Sequence, residues 1–303
     1  MSALGPIEIL FLLAPLAVVP LAMRLSALPT EATAALWLAR RLQPWGALAV
    51  VASFLRPRGL LAALLAGVWL AVTALVAIHG GQRLLSARRA AEIAVSAGGL
   101  MLPIGGVWLV VSRLGIGAFG FEEPIILLTA VHFHYAAYAT LVLAGCVGRA
   151  AGDGRAFRVI AVGAVAGPPL LAAGITFSPL LEVAAAAVVA LAVSGLGLLT
   201  LVRIMPRVPR AAGLLLGLSS VSAFGGMALA VAYAVGELTG HPVVSLGQMA
   251  RIHGPLNALG FVLAGLVGWT VAPRSHPPTM VAAGCSHPPT MVAAGCNLRQ
   301  PTL

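Results

Sequence analysis

The sequence predicts an all-α fold, a polytopic transmembrane helix bundle of about nine helices, with roughly eight to ten allowed by length. Three observations predict it. Of 303 residues, 60% are hydrophobic and only 9% charged, against roughly 25% charged in soluble domains. Mean hydropathy is +1.03. The apolar residues fall in runs bounded by Arg or by Pro and Gly, most of them near the roughly 20 residues that cross about 30 Å of hydrocarbon.

The runs lie near 6–23, 44–55, 59–79, 91–113, 122–147, 157–176, 179–202, 211–236 and 252–272. The first, "ILFLLAPLAVVPLA", has no basic residue before it and Arg24 after it, which suits a first helix entering from outside better than a cleaved leader. The second, "PWGALAVVASFL", is short. It is either a re-entrant segment or a span extended backward through "ALWLARRL", with Arg40 and Arg41 reaching to the interface.

Charge decides in favour of nine crossings. All 18 basic residues are Arg, and with nine crossings one side receives Arg24, Arg40, Arg41, Arg83, Arg88, Arg89, Arg149, Arg155, Arg158, Arg203, Arg207, Arg210, Arg274 and Arg299. The other side receives Arg56, Arg58, Arg113 and Arg251. That 14 to 4 split places the N-terminus outside and the C-terminus in the cytoplasm. The net charge of +10 is therefore a topology signal, and no nucleic-acid partner is expected. The expected location is the bacterial cytoplasmic (inner) membrane, with the lipid bilayer as surrounding partner.

Residues 1–272 are thus expected to form the helical bundle. The remainder, 273–303, reads as a disordered cytoplasmic tail in which "SHPPTMVAAGC" occurs at 275–285 and again, letter for letter, at 286–296. Two copies are fewer than the roughly three units a repeat fold needs to bury a core. The His276, His287, Cys285 and Cys296 spacing matches no standard zinc pattern.

Polar residues inside the spans carry the functional signal, because such groups are expensive in a bilayer. In the fifth run, Glu122 and Glu123 stand at the outer end, with Pro124 expected in the first turn. His132 and His134 lie about 14 to 16 Å deeper. At about 100° per residue, Glu123 and His134 fall roughly 20° apart on one face, whereas His132 is about 160° from His134. His134 shares its face with Tyr138. In the last run, "QMARIHGPLNALGF", His253 and Asn257 share a face and Arg251 points elsewhere, while Gly254 and Pro255 interrupt the backbone. A helix starting at Gly254 would explain that proline equally well. Glu182, in "FSPLLE", sits near a helix start with Ser178 as N-cap. Glu237 closes the eighth run. His79 and Glu92 read as interfacial.

"PIILLTAVHFHYAAY" together with "RIHGPLNALGF" resembles the YndJ-like integral membrane proteins, in which an H-F-H-[YF] helix and a later H-G-x-x-N-A-x-G-F helix recur. The resemblance covers about residues 6 to 272. It implies that Glu123, His132, His134, Arg251, His253, Asn257 and Gly260 are the positions to carry over, and that the chain corresponds to the membrane core of longer relatives.

Three functions suit these residues. A transporter or ion- or proton-coupled carrier would use His and Glu in series, with Glu122, Tyr138, Glu182, Arg251, His253 and Asn257 lining the cavity. A membrane-embedded acid/base enzyme of isomerase or cyclase type, acting on a lipid or isoprenoid, would use Glu123, His134 and His132 as catalytic groups. Metal or haem binding is the third. His132 and His134, on opposite faces, cannot share one ion, whereas His134 and His253 could. No cofactor is identifiable from sequence motifs, and a C-x-x-C-H haem attachment site is absent. The sequence expectation is that His134 and His253 face one cavity opening outward.

Overall fold

The computed structural model describes residues 4–27 and 31–272. The tail and tandem repeat expected over 273–303 lie outside the described residues. Among those described, the chain forms nine long helices: α1 Pro6–Leu25, α2 Ala34–Phe54, α3 Leu60–Leu84, α4 Ala90–Leu114, α5 Ile125–Ala151, α6 Arg155–Phe177, α7 Pro179–Arg207, α8 Arg210–Thr239 and α9 Leu246–Val271. All but α2 are both long and apolar enough to cross a membrane.

The second run is part of a longer helix. α2 begins at Ala34, where the Thr33 side chain accepts the Leu36 N–H at 3.3 Å as an N-cap. At its start, Thr33 meets His79 near the C-terminal end of α3, and at its finish Ser53 Oγ donates to Ala62 O at 2.7 Å near the α3 N-terminus. α2 therefore runs antiparallel to α3 along its whole length, so the backward extension through Trp37–Leu42 is the arrangement the chain adopts.

The polar residues of α2 are each met. Arg40 turns inward and donates to Met23 O at 2.6 Å, while Arg41 lies over the ring of exposed Trp37 at 4.7 Å. Gln43 answers a defect in α1. Residues Ala14–Val18 make a π turn in which the Val19 N–H bonds Ala14 O, and Pro20 has no N–H to give. The Pro15 carbonyl is left without a backbone donor, and Gln43 Nε2 supplies one at 2.6 Å. In hydrocarbon no water could do so.

α3 and α4 approach most closely. A Cβ on Gly80 would lie 2.7 Å from Ser96 O, and one on Gly99 would lie 3.2 Å from Val76 O, so only small residues allow this backbone distance. α5 is the most enclosed helix, with 67% of its apolar window buried against 22% for α6. It packs on α1, α4 and α6.

Two helix starts differ from the sequence expectation. α5 begins at Ile125, so Pro124 precedes the first turn and Glu122 and Glu123 belong to the preceding loop. α9 begins at Leu246 under a capping box of Ser245 and Gln248, so Pro255 lies well inside the helix, flanked by π segments Met249–His253 and Leu256–Leu263. The alternation of nine helices collects Arg24, Arg83, Arg149 and Arg207 at one end, called here the arginine-rich end. Loops 55–59 and 115–124 lie at the opposite end.

Candidate functional site

The residues singled out in the sequence spread over three levels of the bundle. At the opposite end, Glu122 is exposed. Glu123 accepts from Ser112 Oγ at 2.5 Å and from the Leu127 N–H at 3.4 Å, with Arg58 at 3.6 Å. It serves as a side-chain cap on the first turn of α5, where a carboxylate is favoured. Beside it, buried Arg113 ties α4 to the last turn of α2 and to the α2–α3 loop by donating to Ser53 O at 3.1 Å and Arg56 O at 2.8 Å.

At mid-depth, His134 is completely enclosed. Its Nδ1 faces Ala130 O at 2.8 Å, and a carbonyl only accepts, so Nδ1 carries the proton. Nε2 is then the acceptor for the Trp69 indole N–H at 2.9 Å. Phe11 stands edge-on to the ring at 5.1 Å, and Gly105 leaves it space, since a Cβ there would lie 2.6 Å from Nδ1. Both imidazole nitrogens are occupied.

His132 points the other way and is exposed, its Nδ1 donating to Leu128 O at 2.7 Å. His253 Nδ1 donates to Gly226 O on α8 at 2.9 Å. His132, rather than His134, lies within electrostatic reach of His253, and each has its Nε2 lone pair free of the bond that fixes its tautomer. Asn257 Nδ2 donates to His253 O at 2.9 Å, so the two residues are tied one turn apart on α9. Gly260 lets α9 rest on Ser222, whose Oγ would be 2.3 Å from a Cβ. Arg251 is exposed. Glu182 lies apart from these groups, within electrostatic reach of Glu237 and Tyr233. Among the described residues no group of three or more His, Cys, Asp or Glu is gathered closely enough to hold a metal ion.

The densest buried polar cluster is at the arginine-rich end. Glu92, at the start of α4, takes Arg83 of α3 on Oε2 at 2.7 Å and Arg149 of α5 on Oε1 at 2.9 Å. Arg83 also pairs with Glu31 at 2.8 Å. Arg149 donates onward to the carbonyls of Leu25 and Ser26 at 2.8 and 3.1 Å, covering the negative end of α1. Three helices and the α1–α2 connection are thus tied through one carboxylate. A cavity of about 460 Å³ opens on this network, lined by Glu31, Gln82, Arg83, Arg88, Arg89 and Glu92 among others.

Behind Arg83 lies a second, much smaller cavity with room for about one water molecule. His79, Ser96 and Tyr138 line it, and each is at most 3% exposed. His79 Nε2, Ser96 Oγ and the Tyr138 hydroxyl are all buried without a hydrogen-bond partner, as is Arg83 Nε. Orphaned polar atoms are rare in interiors and point to an unplaced occupant. Tyr138, expected beside His134 in an outer cavity, delivers its hydroxyl to this inner one.

A family model described as YndJ-like protein matches residues 9–261. The chain belongs to the YndJ-like family. It is 30% identical over 207 residues to the uncharacterized membrane protein YndJ of Bacillus subtilis (strain 168), an alignment covering 67% of this chain and 38% of that protein. The chain thus spans well under half the length of this relative. No solved structure matches it.

Within this YndJ-like bundle, the H-F-H-Y and H-G-x-x-N-A-x-G-F segments fall inside the matched region and hold mid-depth histidines. Sequence reasoning missed the cluster around His79, Ser96 and Glu92. His79 and Glu92 stand within about two turns of helix ends, which reads as interfacial. The available signal was Gly80 and Gly99, small residues flanking His79 and Ser96 that allow two backbones to meet there.

Proposed function

We propose that this YndJ-like protein is an ion- or proton-coupled carrier whose working path runs through α1 to α5. The observation that carries this reading is the set of buried, unbonded polar atoms of His79, Ser96, Tyr138 and Arg83 around a water-sized cavity, one side chain away from the open cavity at the arginine-rich end. A merely structural polar cluster would be internally satisfied. Further polar groups follow at the His134 level and at Glu123, so buried polarity recurs from end to end instead of gathering in one half. Arg83 separates the two cavities and is held by Glu31 and Glu92, so breaking that pairing is the expected opening step.

A second reading rests on His132 and His253. Two histidines with Nδ1 committed to carbonyls, one of them on an exposed helix surface, suit acid/base chemistry on a lipid or isoprenoid entering from the bilayer. Reconstitution into liposomes carrying an internal pH dye separates the two. The carrier reading expects protein-dependent pH or ion flux under an imposed gradient, reduced by His79→Gln and unaffected by His132→Gln. Absence of flux with every ion tried, together with a co-purified lipid that is chemically altered only when His132 is present, would replace it with the enzyme.

A further inference from the structure

We infer that the small cavity bounded by His79, Arg83, Ser96 and Tyr138 binds a single small monovalent anion of the halide class. The inference deepens the carrier proposal and rests on it for the ion's role in transport, but the binding site is argued from its own chemistry.

The lining is rich in donors and has no carboxylate. Arg83 Nε–H, the Ser96 hydroxyl and the Tyr138 hydroxyl are donors in their ordinary states. The fourth is His79. Thr33 Oγ1 lies 3.0 Å from His79 Nδ1 and accepts the Leu36 N–H as a helix cap, which leaves the hydroxyl its own proton to give. In the tautomer in which Nδ1 takes that proton's hydrogen bond, the imidazole N–H is on Nε2, the unbonded nitrogen in the cavity. All four groups can then donate to one central acceptor.

Charge separates an anion from a cation. Arg83 lines the cavity and no carboxylate does, and Arg40 lies within electrostatic reach of both His79 and Tyr138. A cation in this low-dielectric site would meet guanidinium charge and N–H and O–H donors, whereas an anion is held by them. Size limits the choice, because the cavity with Arg83 in place holds about one water-sized particle; a halide is larger than water and is accommodated when Arg83 draws back. Carboxylates and phosphates do not fit there.

Gly80 and Gly99 line the same cavity. A Cβ on either would press on the facing helix backbone, so their absence both joins α3 to α4 and keeps the cavity open. Entry from the larger cavity requires Arg83 to swing from Glu31, and the same side chain then accompanies the anion with its charge.

The test uses the full chain purified in gluconate, with thermal unfolding followed as sodium chloride or sodium bromide is added. The expected result is a midpoint that rises along a saturating curve, with sodium gluconate at equal ionic strength giving no rise. Tyr138→Phe and Ser96→Ala remove hydroxyls that hold no protein partner, so both variants are expected to fold. Each weakens the apparent halide affinity by about tenfold or more, the loss of one hydrogen bond to a charged group. A midpoint indifferent to halide, or a halide-dependent rise in both variants that equals that of the unsubstituted protein, overturns the site and leaves an ordered water as the occupant. Liposome flux distinguishes the two proposals: halide binding without any flux removes the carrier and keeps the site, whereas flux with no halide dependence and no halide binding removes the site and keeps the carrier.

Discussion

Trp69 and His134 are joined by a hydrogen bond of 2.9 Å from the indole N–H to Nε2, with their rings stacked at 6.1 Å between centroids. The bond locks α3 to α5 at the centre of the bundle and occupies the nitrogen that a ligand or proton would otherwise use. A histidine that looks like a site in one dimension is thus held as a packed, neutral connector in three.

Trp69→Phe strips His134 of its donor in a dry interior and is expected to lower stability by about 1–3 kcal/mol. Adding His134→Leu removes the orphaned acceptor, so the double variant recovers part of the loss. Unfolding in detergent, run as a double-mutant cycle, measures this coupling. Strictly additive losses would show that the bond contributes nothing.

Glu92 joins Arg83 and Arg149, and all three side chains are less than a quarter exposed. Glu92→Gln leaves two guanidiniums facing each other across a neutral amide, and the expected loss is roughly 2–3 kcal/mol after allowing for partial solvent screening. Arg149→Met on that background adds only the loss of its bonds to Leu25 and Ser26 carbonyls. Equal effects of Arg149→Met in both backgrounds would mean that the ion pair is energetically idle.

Gln43→Leu uncovers the Pro15 carbonyl, at an expected cost of about 1–3 kcal/mol. Pro20→Ala returns a backbone N–H to the π turn of α1, so Gln43→Leu should cost less when made in that variant. Comparing the unfolding midpoints of the four proteins checks the argument, and an undiminished Gln43→Leu effect in Pro20→Ala would refute it.

Topology follows from the arginine distribution. In a cysteine-free background, Glu122→Cys is expected to react with a membrane-impermeant maleimide added to intact cells, and Arg155→Cys only after permeabilisation. The reverse pattern would invert the bundle.

The π turns explain why ideal helical angles misjudged the histidines. Placing Glu123 and His134 on one face assumed an unbroken helix from 123 onward. The helix instead starts at Ile125 and carries a π segment over Phe133–Ala139, which redirects His134 to Trp69 and Tyr138 to Ser96 and His79. Backbone irregularity of this kind depends on what the neighbouring helices supply, so one helix read alone does not reveal it.

The sequence by itself determined the membrane bundle, the nine long helices of the described residues and the family, because hydropathy runs, arginine spacing and short motifs are properties of one dimension. It also located His132 and His134 in mid-helix, whereas it left His253 and Pro255 open between a helix start and the inside of a span. Which of them meet was decided only by the tertiary structure. Glu92 finds Arg149 across 57 positions, and Trp69 finds His134 across 65. Such partners are set by helix rotation, by close backbone approach at Gly80 and Gly99, and by the space that Gly105 leaves for the His134 ring. Only that packing separates a buried polar group whose bonds are complete, such as His134, from ones left open around a cavity, such as His79, Ser96 and Tyr138.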